Sequence, residues 1–346
     1  MTAQPTEVGE RREGKPPPAR TRQWIGDRVA AEGFPVAELR DRLDGGSAVV
    51  WVDLCAPDHD DLRLVADVLG LDPVALEDAV SRRERAKLDR YASYLFLNLY
   101  ATDVAERRLA LHELSVFVTD RALVTIRQDE RFDADELVRR WDDDLALWRR
   151  GTGDEVANVQ PILLYSLLDL VVDGHLDAVQ ALDDETDAVE ELIFDDGAAG
   201  REIQHRSYRL RKNLAALRRV TLPMREILNT LLRRDTEAVP AAMQPYYQDV
   251  YDHTLRVTEQ TDALRDLVAD LLETRIALQD NHLNEVMKKV TSWAAIVAVP
   301  TAVTGFFGQN VAFPGRDTIW GFTFSSAVVV VFGVVLYTVF KRNDWL

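Results

Sequence analysis

Twenty-two consecutive uncharged residues, Ile319 to Phe340, constrain this chain more than any other feature. About 20 apolar residues carry a helix across a bilayer's hydrocarbon core. The run is too long and too uniformly apolar for a hairpin buried inside a soluble protein. A second apolar stretch, Ser292 to Phe307, precedes it, and its helix is expected to start before Val290. Only the eleven residues Gly308–Thr318 lie between them, so the two form a helical hairpin across the membrane. From Thr291 to Phe340 the only charges are Arg316 and Asp317. Lys288 and Lys289 flank the first helix, and Lys341 and Arg342 follow the second. The positive-inside bias places both termini in the cytoplasm, which predicts a multi-pass protein of the inner (plasma) membrane. The expected order is a first membrane helix at 291–309, an external loop at 310–318, a second helix at 319–340 and a basic tail at 341–346. Two helices cannot enclose an aqueous path, so a conducting protein requires several copies around an axis.

The rest of the chain is charged. Net charge is −17, from 41 basic and 58 acidic residues. That balance argues against nucleic acid as a partner, since phosphate neutralisation needs a basic surface. It fits a surface that concentrates cations, and it equally fits plain solubility. The one cysteine, Cys55, lies in an apolar run and reads as a core residue. Residues 1–23 are rich in Pro and charge, show no signal-peptide pattern and read as a disordered tail.

Residues 24–150 read as a cytoplasmic α/β domain. Strands are expected at Ala48–Leu54, Tyr94–Tyr100, Leu114–Thr119 and Ala122–Ile126. Helices are expected at His59–Leu69, Pro73–Val80 and Ala134–Trp148, with Asp58 and Asp72 as N-caps. Residues 151–290 read as a long-helix bundle and stalk. Within it, 151–200 holds thirteen Asp or Glu and no Lys or Arg, while 201–234 holds ten Arg or Lys and two Glu. Gly197 and Gly200 separate these blocks, which predicts an antiparallel helix pair with solvated faces and modest pairing. Between Tyr246 and Val299 there is neither Pro nor Gly. One helix is therefore expected to run from the soluble part into the membrane, over roughly 80 Å at 1.5 Å per residue. Pro300 lies inside the membrane part, where neighbouring copies can satisfy a freed carbonyl.

Along that helix Asn284, Met287, Thr291, Ala294, Ala298, Thr301, Gly305 and Gly308 keep a spacing of 3.5 residues. Small residues let membrane helices pack closely, and small or hydroxyl residues also line a water-filled path. Asn284 and Thr301 are the polar members of this stripe. At its end Gly308, Gln309 and Asn310 offer amide carbonyls without net charge. A ring of them could hold a hydrated cation such as Mg²⁺, which dehydrates reluctantly, or the group could simply cap the helix. The bulky apolar positions near the cytoplasmic mouth are Met287 and Val290, which makes them the expected gate. Enzymatic motifs are lacking: there is no Walker loop, HExxH or CxxC, and the six histidines show no ligand spacing. His253 reads as a packing or hydrogen-bonding residue. The chain is not expected to be an enzyme.

Several segments resemble the CorA family of magnesium and cobalt transporters. They are Trp51–Leu54 followed by Pro57, Leu76-Glu77-Asp78, Lys87-Leu88-Asp89, Tyr247–His253, Asn284–Lys288, Gly308-Gln309-Asn310 and the terminal Lys341–Leu346. The resemblance implies an α+β cytoplasmic domain, a mixed sheet with flanking helices, followed by long helices and two C-terminal membrane helices in a funnel-shaped homopentamer. It implies uptake of Mg²⁺, and in some members Co²⁺ or Ni²⁺, down the membrane potential, worth about 4.6 kcal/mol for a divalent ion at 100 mV. It implies too that intracellular Mg²⁺ bound between subunits holds the pore closed, with Asp78 of one subunit and Asp249 of its neighbour as ligands. Three departures stand out. Gln309 replaces the family's Met, the usual acidic loop is replaced by Val311–Asp317, and a bulky gating position aligns with Ala298. The loop leans toward the zinc-transporting branch, so a Zn²⁺ or other transition-metal transporter, proton-coupled in one form, is the alternative. A non-conducting membrane-anchored scaffold or sensor is the second alternative.

Overall fold

The computed structural model describes residues 19–44, 46–72, 75–76, 79, 85–152, 158–195, 199–234, 238–309 and 318–346. Two compact units divide at Val268/Ala269. The first contains a seven-stranded sheet in the order β2-β1-β3-β7-β6-β5-β4. The strands are β1 Arg20–Ile25, β2 Arg28–Glu32, β3 Ala48–Cys55, β4 Lys87–Arg90, β5 Leu95–Ala105, β6 Arg108–Val118 and β7 Ala122–Arg127. Only β3 and β7 pair in parallel; every other pairing is antiparallel. The sheet is therefore mixed, as expected. The helices are α1 Leu39–Leu43, α2 His59–Leu69, α3 Ala134–Thr152, α4 Gln160–Phe194, α5 Gly200–Arg234, α6 Gln244–Phe307 and α7 Ile319–Arg342.

Local chemistry accounts for several boundaries. Asp58 caps α2 by accepting from the Asp60 and Asp61 amides, each at 2.9 Å. Gly70 closes the same helix at φ +66°, a left-handed conformation that glycine adopts without strain. Between β5 and β6 the chain turns on Glu106 and Arg107, both at positive φ. Two such residues make the turn whose twist matches a right-twisted hairpin. This hairpin reaches further than the apolar runs Tyr94–Tyr100 and Leu114–Thr119 predict, because its outer half carries polar residues. The tail expectation needs one correction: Arg20–Gln23 belong to β1, where Thr21, Arg22 and Gln23 are buried beside β3. Their polar side chains hid the strand. The helix expected at Pro73–Val80 lies largely outside the described residues; Ala75, Leu76 and Ala79 are helical and buried.

Both sheet faces are covered, and the alternation along β3 shows how. Val49 and Trp51 join a core with Leu97, Leu114 and Val116 of the sheet, Trp141 of α3, Leu163 and Leu167 of α4, and Leu228 of α5. Val50, Val52 and Leu54 face the opposite way, into a smaller core with Leu39 of α1 and Val65 of α2. This period of two is the sheet pleat. Trp141 meets Trp24 and Trp51 edge-on and donates its indole N–H to the Leu163 carbonyl at 2.9 Å. Cys55 is buried at the end of β3, and burial pushes its thiol up, as suits a core residue.

The acidic α4 and basic α5 do pack together. Arg206 donates to both carboxylate oxygens of Glu185, at 2.9 and 3.1 Å, and both side chains are largely buried. The α6 stretch in this unit buries Tyr247, Val250, Thr254, Val257, Thr261, Leu264 and Val268, alternating steps of three and four. The threonines fit this stripe because each donates its hydroxyl proton to the carbonyl four residues back.

In the second unit α6 continues to Phe307 and is followed by α7. Both helices contain stretches long and apolar enough to cross a membrane, and almost none of either stretch is buried. Ile319, Trp320 and Phe322 are over 70% exposed. Side chains this apolar need lipid or a partner around them.

Candidate functional site

Tyr247 organises the start of α6. Its ring is fully buried, and its hydroxyl donates to the Pro161 carbonyl at 2.9 Å. That anchor fixes the rotation of the helix. Asp249, two residues on, is thereby 65% exposed, and His253 follows one turn later, with its Nε2 4.0 Å from the Asp249 carboxylate.

His253 has closer company than the sequence reading gave it. Ligand atoms of Asp169, Asp173 and His253 all lie within 4.8 Å of one another. Two carboxylates and an imidazole are suitable donors for a divalent cation, including Co²⁺, Ni²⁺ or Zn²⁺. Burial pushes the Asp169 carboxyl up to about 6, and the Asp173 charge adds to this; Arg140 opposes it. Arg140 of α3 already spans the pair, 3.0 Å from Asp169 and 2.7 Å from Asp173. The donor set thus fits a metal, but a guanidinium already neutralises part of its charge. No sequence pattern singles out Asp169 and Asp173 among the thirteen acids of that block. Their only local signal is a spacing of four residues on a helix without Lys or Arg. Asp78, the other expected sensor ligand, lies outside the described residues.

The expected pore residues fall on the exposed part of α6. Asn284, Thr301, Met287 and Val290 are all exposed in the single chain. Among residues 272–309 only Ser292 is buried. Thr301 donates its hydroxyl proton to the Val297 carbonyl, and Thr304 donates to that of Pro300. Neither bond reaches the Ile296 carbonyl, which Pro300 deprives of its usual N–H partner. The helix ends at Phe307, with the Gly308 amide donating to the Thr304 carbonyl at 2.8 Å. A Cβ at Gly308 would lie 2.9 Å from that oxygen, so this turn requires glycine. Gln309 follows, its amide donating to the Phe306 carbonyl at 3.3 Å. Asn310 lies outside the described residues.

A mixed α/β unit joined to two exposed apolar helices defines a membrane protein with a large polar domain. Residues 46–342 match the family described as CorA-like Mg2+ transporter protein, and the chain belongs to that family. It is a family of ion transporters rather than enzymes. The cobalt/magnesium transport protein CorA of Thermotoga maritima is 28% identical over 304 residues, covering 87% of this chain and 84% of that protein. The complete CorA magnesium transporter structure from Methanocaldococcus jannaschii superposes with a TM-score of 0.75 at 20% identity, over 95% of this chain and 99% of that one. The full-length CmaX protein gives 0.65 at 21% identity, over 98% of this chain and 100% of that one. At these identities the structural matches show a shared fold.

Proposed function

We propose that this chain is one subunit of a homopentameric channel for divalent cations that admits Mg²⁺, and Co²⁺ with it, into the cytoplasm. The observation that carries this reading is the exposed face of α6 ahead of Lys288. Ile276, Leu283 and Val286, with Val290 just beyond the lysines, keep heptad spacing, and each is between 42% and 60% exposed. Most of this stretch lies before the flanking lysines, so lipid does not cover it; copies of the same helix would. The names of the relatives, which are cobalt/magnesium transport proteins, supply the cargo.

In this reading both termini are cytoplasmic and the membrane is the plasma membrane. Gly308, Gln309 and Asn310 form the amide-lined entrance, Thr301 and Asn284 line the path, and Met287 and Val290 close it. Intracellular Mg²⁺ at Asp249 and the neighbouring subunit's Asp78 position favours the closed state, since it binds that state better. His253, 4.0 Å from Asp249 and grouped with Asp169 and Asp173, extends the set of donors available to a regulatory cation.

The test is uptake into proteoliposomes of Mg²⁺, Co²⁺, Ni²⁺ and Zn²⁺, with and without a pH gradient. Mg²⁺ and Co²⁺ entry driven by potential alone is expected. Entry of Zn²⁺ alone, or entry that depends on the proton gradient, would replace this reading with the zinc-transporting one. Properly assembled protein that passes none of the four would leave a scaffold.

A further inference from the structure

The first unit holds a cavity of about 650 Å³ beside the β5–β6 hairpin. Its wall includes Arg85, Tyr100, Leu111, His112, Asp129 and Arg219. Small-molecule sites have volumes of roughly 300–1,000 Å³ and combine an apolar wall with a few polar groups.

The charges on this wall are not equivalent. Asp129 accepts the Arg131 amide proton at 3.0 Å, and its other oxygen lies 3.4 Å from His112 Nδ1. Glu113, also on the wall, accepts from Asn98 at 2.9 Å. The acids are engaged within the fold. The arginines are not: among the described residues neither the Arg85 nor the Arg219 side chain has an ion-pair or hydrogen-bond partner. His112 is 8% exposed, and among the described residues its Nε2 is buried without a partner. A buried polar atom left unpaired points to a missing partner. A cation fits poorly, because among the described residues only Asp169, Asp173 and His253 bring three ligand atoms within 4.8 Å. The unused capacity of the cavity is for donating to an anion.

We propose that this cavity binds a phosphorylated organic anion of about mononucleotide size. Guanidinium forks match phosphate oxygens two at a time, which suits Arg85 and Arg219 to the phosphate. Tyr100, Leu111 and Val220 offer a less polar wall for the body of the ligand. His112 lines the same wall. The site lies wholly within residues 1–268 and uses none of the residues assigned to the pore or to the metal sensor.

The test is calorimetric titration of the full-length protein in detergent at fixed Mg²⁺ with AMP, glucose 6-phosphate, adenosine and inorganic phosphate. ATP is avoided because it chelates Mg²⁺. AMP or glucose 6-phosphate is expected to bind saturably at millimolar or lower concentration. Arg85→Ala and Arg219→Ala should each weaken binding by about tenfold or more, since each removes a charge-assisted contact. Both side chains are exposed, so the ligand-free melting temperature should not move. Saturable binding by neither ester, or equal binding in the two variants, would overturn the proposal. So would adenosine or inorganic phosphate binding as tightly as AMP, because the site would then read only the body or only the bare anion.

Discussion

His175 sits fully buried on α4, with its Nε2–H donating to the Tyr100 carbonyl at 2.8 Å. Burial pushes it down from the usual 6.5 to about 4. The folded state therefore refuses a proton that the unfolded chain accepts. Its stabilising contribution is complete above about pH 6.5 and is lost as pH falls toward about 4, at a cost of about 3 kcal/mol. Thermal unfolding of the solubilised protein across this window should show a flatter pH profile for His175→Gln, which keeps a donor for Tyr100. An identical profile would remove His175 from the acid sensitivity. At the proposed pore entrance, Asn310→Ala removes an amide carbonyl. It should abolish uptake while leaving the oligomer intact on size exclusion. Wild-type flux through that variant would end the ion-binding role given to Asn310. On α6, Asp249→Asn should weaken metal protection against proteolysis and raise flux at high internal Mg²⁺. If neither changes, Asp249 is an ordinary surface carboxylate.

Among the elements, the parallel contact of β3 and β7 depends on a buried polar chain. Arg127 holds both oxygens of Asp53, at 2.9–3.2 Å, and both residues are at most 5% exposed. Thr125 donates to the same carboxylate at 2.8 Å, and Trp51 donates to Thr125 at 3.1 Å. Such a pair specifies one register, because a slip of one residue would turn the charges to opposite faces. Removing one partner strands the other, so Arg127→Met is expected to cost about 3–5 kcal/mol. The double variant Asp53→Leu with Arg127→Met should recover much of that loss. Denaturant melts of the three proteins check both statements, and a double variant less stable than Arg127→Met would show that the pair itself is strongly stabilising.

For the proposed assembly the question is where its path would close. Ala298 is too small to form a dewetted constriction unless the helices approach very closely, whereas Met287 and Val290 present bulky exposed side chains near the flanking lysines. Met287→Ala or Val290→Ala should leak at high internal Mg²⁺, and Ala298→Gly should change little. An oligomer structure with metal bound whose narrowest point is at Ala298, with a wide passage at Met287 and Val290, would move the gate. The heptad stripe from Ile276 to Val290 belongs to this scale too, since its residues are 42–60% exposed in the single chain.

Local patterns were enough for the membrane helices, for β3, β7, α2 with its Asp58 cap, and for the length of α6. Each depends on composition or periodicity that neighbours in sequence already display. β1 and β4 escaped because their residues are largely polar; Arg22 and Gln23 are buried only because β3 pairs with them. The family motif at Tyr247–His253 was legible, but the reason for it was not. It took the packing of α6 against α4 to bury Tyr247 and to turn Asp249 outward. The grouping of Asp169 and Asp173 with His253, 80 residues further along the chain, and the cavity that brings Arg85 to Arg219, were likewise settled only by tertiary structure. Sequence fixes which residues can be charged, apolar or helical, whereas convergence of distant side chains depends on how helices rotate when their apolar stripes are buried.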